Sequence, residues 1–478
     1  MARSNVSVPR DSSDSSSSSS SSTASNTKNA KTATATATSD ASQSSSDSSA
    51  RALQLILCIL VAIAAYVYVS PSPIAPVAFR LASPPSLSSS AGARTGAGAG
   101  AAFPVVNTVD LAKAQPAWRG RANKGPESVV FAPQGDYAYF GAADGKILRG
   151  SIASPLSAPE PMTTIGDPNK ALPLPCGTYE TLHICGRALG MAYHPNGFVI
   201  IAAAYFGLLA MDPASGQLQA IATTVHDSLS KQSEELLFPN SVAVAADGKI
   251  YFTISSNKHS LRDYMLEILE SGKNGGVGVY DPKTRKATYF TKRNSLSFPN
   301  GIVLSEDGSY LIVAELNRAR LVKIPLSGPK KGIPGVYIEN LPVLPDNIRW
   351  ASEYATAGGA PDQTESGDVN QYFASGNDLL LVTGTVLRSA SSFSLFDFTA
   401  PRPWLRKLLA KAIPVKYIAP FVEALGGGAT IVAAVKPPVS SAEGAEVAQV
   451  IVDTSGKVRS ASEVRVFHYL DSRAFMVS

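Results

Sequence analysis

FPNGIVLSEDGSYLIVAE, residues 298–315, opens a strand-like apolar run with an asparagine, turns through Glu306-Asp307-Gly308 and enters a second apolar run. FPNSVAVAADGKIYFT, residues 238–253, repeats the arrangement in the same register. Working outward, ESVVFAPQG from 127 and LGMAYHPNG from 189 carry a glycine eight residues after their first position, as the copies opening at Asn240 and Asn300 do. A second apolar run follows each turn: YAYFGAA, FVIIAAA, KIYFTIS and SYLIVAE. Two weaker copies, NIRW from 347 with NDLLLVTG from 377, and EVRVF from 463 with AFMVS from 474, complete the set. Six strand-turn-strand units spaced by about 45–60 residues, with one long insertion, predict an all-β fold, a six-bladed β-propeller. A β-sandwich would account for the alternation but not for the common register.

In a propeller the innermost strand of each blade lines a central channel, so equivalent first positions converge near the axis. Those positions are Glu127, Leu189, Asn240, Asn300, Asn347 and Glu463, with Asp346 just ahead of Asn347. Carboxylate and amide oxygens without histidine or cysteine suit a hard cation, calcium rather than zinc or copper. Glu127, Asn240, Asn300, Asp346 and Asn347 would form a cage of net charge about −2, enough for one Ca²⁺. The competing reading is that each Asn or Asp caps a turn ahead of its strand.

The chain has 478 residues, 33 prolines, 37 glycines and a net charge of +5 with dispersed Lys and Arg. No basic stripe tracks a phosphate backbone, so nucleic acid is excluded as a partner. Residues 1–50 are dominated by Ser, Thr, Ala and Asp and are expected to be disordered, because they offer too little apolar surface to offset ordering entropy. ALQLILCILVAIAAYVYV at 52–69 is uncharged and long enough to cross hydrocarbon, so residues 51–70 are expected to form a transmembrane signal anchor. A cleaved signal core or an organelle transit peptide are the alternatives, and the fifty residues ahead of the run favour the anchor. Lys28, Lys31 and Arg51 bias the N-terminal side positive, placing the tail in the cytosol and the body in the lumen or outside the cell, on an endomembrane or the plasma membrane. Residues 71–104 read as a Pro/Gly/Ala linker and 105–478 as the propeller, with insertions at about 351–376 and 390–445.

Of three cysteines, Cys58 lies in the apolar run, and Cys176 and Cys185 bracket CGTYETLHIC, where His183 alone completes no zinc site. In an oxidising compartment these two are expected to form a disulfide. The second insertion carries WLRKLLAKAI, with Trp404, Leu405, Leu408, Leu409 and Ile413 near helical spacing and Arg406, Lys407 and Lys411 between them. Such a helix caps a core, lies at a membrane interface near 403–414, or covers the channel mouth. Because the chain stops at Ser478, directly after the last strand pair, closure of the last blade is expected to be incomplete.

GPESVVF, CGRALG, AAYFGLL, FPNG, AELNRARLVKIPLSGPKKG and LPDNIRW resemble the strictosidine synthase-like propellers, and within them the adipocyte plasma membrane-associated branch. The resemblance runs over about residues 105–478. It implies a cytosolic tail, one membrane anchor and a lumenal or extracellular propeller. The related paraoxonases hold calcium through a Glu, two Asn and an Asp-Asn pair, which Glu127, Asn240, Asn300, Asp346 and Asn347 match. Ser241, Ile254 and Ala203 stand where the family usually has carboxylates, which makes the site less acidic. Arg459, Ser460 and Ala461 occupy the region of the strictosidine synthase base, so alkaloid condensation is not expected. The paraoxonase histidine pair has no counterpart, and His194 in YHPNG reads as a surface turn residue.

The resemblance and the metal set together imply a membrane-anchored calcium-dependent hydrolase of arylesterase or lactonase type, acting on small esters. Glu127 and Asp346 are the candidates for a base, although metal ligation lowers their basicity. The alternative is a propeller in which calcium pins the blades and a face binds a partner without catalysis.

Overall fold

A computed structural model describes residues 37–88, 102–109, 125–154, 157–167, 174–351, 379–390, 393–424, 431–438, 444–453, 464–469 and 472–477. Glu463, Arg459, Ser460 and Ala461, nearly all of the first insertion, and residues 1–36 of the tail lie outside them. Two compact units result, residues 1–69 and 70–478. The first contains helix α1 (Ala37–Val69), in which Ala50–Val69 is long and apolar enough to cross a membrane.

The second unit is a propeller. Four-stranded antiparallel blades run over Val129–Thr164, Arg187–Ala222, Pro239–Tyr289, Pro299–Ile338 and Val343–Asp453. A sixth, two-stranded sheet, Val464–Tyr469 with Ser472–Val477, touches the first two strands of blade 5. Blade 3 is widened by the hairpin Thr224–Asp227/Gln232–Glu235, parallel to its outer strand. Blade 5 is widened by Ala102–Val109, parallel to Glu446–Asp453.

Neighbouring blades bury apolar faces against each other, as the continuous Val, Ile and Ala runs require. Ile201, Met191 and Ile147 join blades 1 and 2; Phe252, Leu208 and Val242 join 2 and 3; Val313, Ile302 and Val277 join 3 and 4; Ile312, Ile348 and Val382 join 4 and 5. Full burial of each such side chain contributes about 1.5–3 kcal/mol. First strands adjoin one another around the axis, close enough that only glycine fits at two points. A Cβ on Gly190 would lie 2.5 Å from the Asn240 carbonyl oxygen, and one on Gly301 would lie 2.5 Å from the Ile348 nitrogen.

Helix α2 (Leu182–Cys185) ends on the disulfide Cys176–Cys185, whose Cα atoms are 5.8 Å apart. Four elements cover one end of the channel: α3 (Tyr264–Glu270), α4 (Leu395–Thr399), α5 (Pro403–Ala412) and α6 (Val415–Ala424). Ser394 caps α4 by accepting from Asp397 N at 3.2 Å, and Pro403 presets φ at the first turn of α5. Beneath them Met265, Leu266, Leu269, Ala410, Ile418 and Ile74 form one buried cluster. The amphipathic segment at 403–412 is thus a channel cover.

Residues 72–85, read above as linker, run along this cover as a strap. Val77 N donates to Glu270 O at 2.9 Å, Phe79 N to Ala400 O at 3.3 Å, and Ala390 N to Pro85 O at 3.0 Å. Arg406, 2% exposed, donates to five carbonyls, those of Val77, Leu269, Glu270, Thr399 and Ala400, so one guanidinium ties strap, α3 and α4 to α5. Among the described residues no carboxylate pairs with it, and burial pulls its pKa down to about 10. Arg388, fully buried, likewise joins Ala82 O to the Asp397 carboxylate.

Candidate metal centre

Except for Glu127, which precedes the first strand of blade 1, the described channel residues sit at breaks in strand pairing. Register shifts fall between Ala188 and Gly190, Pro239 and Val242, Pro299 and Ile302, and Pro345 and Ile348, bracketing Leu189, Asn240, Asn300 and the Asp346-Asn347 pair. A bulge leaves an extra residue unpaired and re-aims its side chain, which turns these positions out of the ladder. The backbone there is held by threonines of the adjoining strand or, at Asn300, of the neighbouring blade. Thr253 Oγ1 accepts from Ser241 N at 2.9 Å and donates to Asn300 O at 2.6 Å, and Thr383 Oγ1 donates to Asn347 O at 3.0 Å.

Four of the five predicted ligands, Glu127, Asn240, Asn300 and Asp346, line one cavity of about 370 Å³. Asn347, 1% exposed, lies behind them and donates from Nδ2 to Glu127 O at 3.3 Å. Asn300 Nδ2 donates to the Asp346 carboxylate. Sequence reasoning missed Arg187, whose Nη2 meets Glu127 Oε2 at 2.6 Å and Gly125 O at 3.1 Å. With that guanidinium included the cluster carries about −1 rather than −2.

The side-chain oxygens of Asn240, Asn300 and Asn347 are all buried with no hydrogen-bond partner. Buried polar atoms are almost always paired, and each orphan costs about 1–3 kcal/mol. Three orphaned amide oxygens beside two carboxylates form a donor set that fits a hard cation such as calcium. Among the described residues no group of three His, Cys, Asp or Glu is placed to hold a metal ion, and the channel set contains neither histidine nor cysteine.

Above these polar groups the cavity is apolar. Leu189, Phe238, Phe298, Leu316 and Leu344 surround it from the blades, and Tyr264, Ile268, Phe396, Leu409 and Ile418 close it from α3–α6. A few oxygen donors at the base of an apolar chamber of this size match a small-molecule site. Ser241, Ile254 and Ala203 are buried away from it, at 0%, 1% and 0% exposure. His194 is in its turn, with Nε2 3.0 Å from Gly248 O and Nδ1 accepting from Asn196 N at 3.2 Å. Glu267, on α3 but facing blade 3, accepts from Ser256 Oγ at 2.6 Å and from Asn274, and burial raises its pKa.

A strictosidine synthase family model matches residues 240–329, and a model of the strictosidine synthase-like N-terminal region matches 110–150. Adipocyte plasma membrane-associated protein of Rattus norvegicus is 30% identical over 302 residues, covering 62% of this chain and 69% of the relative. This chain is a strictosidine synthase-like protein of the adipocyte plasma membrane-associated branch. The Danio rerio member of the branch is 36% identical over 301 residues, and the match spans 62% of each chain. A gluconolactonase structure from Xanthomonas campestris aligns at 13% identity over 55% of this chain and 71% of that one, with a TM-score of 0.36. In this strictosidine synthase-like protein the first-blade match ends beyond Glu127, and the longer match begins at Asn240 and includes Asn300.

Proposed function

We propose that the propeller is a calcium-dependent hydrolase of the arylesterase or lactonase type that acts on small esters from the lumenal or extracellular side of the membrane. The observation that carries the reading is a cavity lined by two carboxylates and by Asn240 and Asn300, whose buried amide oxygens have no partner, with the partnerless Asn347 oxygen just behind them. Glu127, Asn240, Asn300, Asp346 and Asn347 would hold the ion; once bound, it supplies positive charge for a developing oxyanion and acidifies a coordinated water. The apolar wall takes the aryl or acyl part of the ester and excludes bulk water. Arg187 offers guanidinium N–H groups beside Glu127, and Asp346 is the carboxylate placed to accept a proton at the cavity base. The Cys176–Cys185 disulfide supports an oxidising compartment.

A second reading, a calcium-pinned scaffold without turnover, is favoured by one arrangement: Glu127 is engaged by Arg187 and Asp346 by the Asn300 amide. Hydrolysis of phenyl acetate and a small aryl lactone by the purified full chain, with calcium and with chelator, separates the two. The hydrolase reading expects turnover that disappears in chelator and in Asn300→Ala. Calcium-dependent melting without turnover leaves the scaffold, and turnover indifferent to chelator removes the metal from the chemistry.

A further inference from the structure

The cover helices have a second, outward face, of whose large apolar residues only Phe421 also borders the cavity. Phe393, Phe398, Trp404, Leu408, Tyr417 and Phe421 are 71%, 43%, 65%, 43%, 54% and 40% exposed, whereas Ala410 and Ile418 of the same helices are buried. Elsewhere in the described propeller unit, exposed large apolar side chains occur as scattered residues such as Phe198, Leu229 and Ile333. A contiguous exposed apolar patch marks an interaction surface.

Its occupant follows from charge and from chain length. Arg402, Lys407, Lys411 and Lys416 lie among the six apolar residues, and Lys416 Nζ is 3.9 Å from Glu180. Aromatic and aliphatic side chains with interspersed lysine and arginine suit a lipid headgroup region. Four residues, and so five Cα–Cα steps, separate Val69, where the apolar segment ends, from Ile74, which is 4% exposed and packed with Ala410 and Ile418. Five steps of fully extended chain reach at most about 18 Å. That limit is covalent and holds for any orientation of the anchor, so a membrane-inserted segment keeps this cover close to the bilayer surface.

We propose that the exposed face of α4–α6 docks into the lipid-water interface of the membrane that holds the chain. Trp404, Leu408 and Phe421 enter the headgroup and upper acyl region to a depth of about 5–10 Å, and the lysines meet phosphates. The opposite side of the same helices roofs the cavity, so substrate in reach of the site is an amphipathic ester dissolved in lipid. This last step rests on the hydrolase reading; the docking does not.

The test uses the full chain in phosphatidylcholine vesicles, with the Trp404 emission taken as wild type minus Trp404→Phe. Docking predicts that lipids brominated near the top of the acyl chain quench more than half of this emission and that aqueous iodide leaves it largely intact. Leu408→Asp/Tyr417→Asp, two exposed positions outside the cavity that leave the emitter in place, should lose most of the lipid quenching. Quenching by iodide and not by bromolipid would overturn the proposal. Shielding from both would also overturn it, in favour of a second protein copy on this face. No turnover enters the readout, so its outcome is independent of the proposed activity.

Discussion

Replacing Asn240 with leucine should change sign with calcium. The side chain is 4% exposed, lines the cavity, and its Oδ1 has no partner. Leucine has the same branched skeleton of four heavy atoms, and the cavity leaves room for its bulkier methyl groups beside Phe238 and Phe298. In chelator the wild type bears an unsatisfied oxygen at a cost of about 1–3 kcal/mol, which Asn240→Leu removes. An unfolding entropy of about 2.1 cal/mol/K per residue over the Ser70–Ser478 unit makes one kcal/mol worth about 1 °C. The variant should therefore melt at the wild-type temperature or about 1–3 °C above it in chelator. At calcium a thousandfold above Kd the wild type gains about 4 kcal/mol, or about 4–5 °C, and the variant, missing one ligand, gains much less. Calorimetry of the full chain in both conditions reads the crossover. An equal loss in calcium and chelator would mean that protein groups already satisfy the oxygen, and an equal gain in both would mean that no cation uses it.

Cys176→Ser/Cys185→Ser opens a loop with a sequence separation of 9 and should cost about 2–3 kcal/mol, with reductant lowering the wild type to the variant's melting temperature and leaving the variant unchanged. Burial holds the Glu267 carboxyl above its ordinary value of 4.5, so the folded state retains a proton that the unfolded chain has released. The stability from that group is full below about pH 4.5 and is lost as pH rises through the folded pKa, so the melting advantage of Glu267→Gln over wild type should grow from about pH 5 to about pH 8. An advantage constant across that range would remove the assignment. Asp397→Ala leaves the fully buried Arg388 side chain without its carboxylate and should cost about 3–5 kcal/mol in chemical denaturation, with Arg388→Met/Asp397→Leu recovering part of it.

The blades were legible because each repeats an apolar strand, a glycine turn and a second apolar strand in one register. The channel asparagines were legible because they break that apolar pattern at the same position. The bulges that aim them were not, since a register shift depends on the partner strand. Arg187 stands in CGRALG, but its partner Glu127 is 60 residues away, a distance at which no periodicity signals a contact. Amphipathic spacing announced α5. The strap did not announce itself: proline-rich residues 72–85 satisfy their backbone through Arg388, Arg406 and Glu270, not through a ladder of their own. The outer strand Ala102–Val109 was hidden within and just beyond the stretch read as linker, because it pairs with residues more than three hundred positions later.

The central claim is that the asparagine oxygens converge on an ion. Equilibrium dialysis of the purified full chain against calcium, with bound metal counted by mass spectrometry, tests it most directly. One calcium per chain, absent from Asn300→Ala and Asp346→Ala variants that still melt cooperatively, is the predicted result. No bound calcium, or calcium retained at full stoichiometry by both variants, would contradict it.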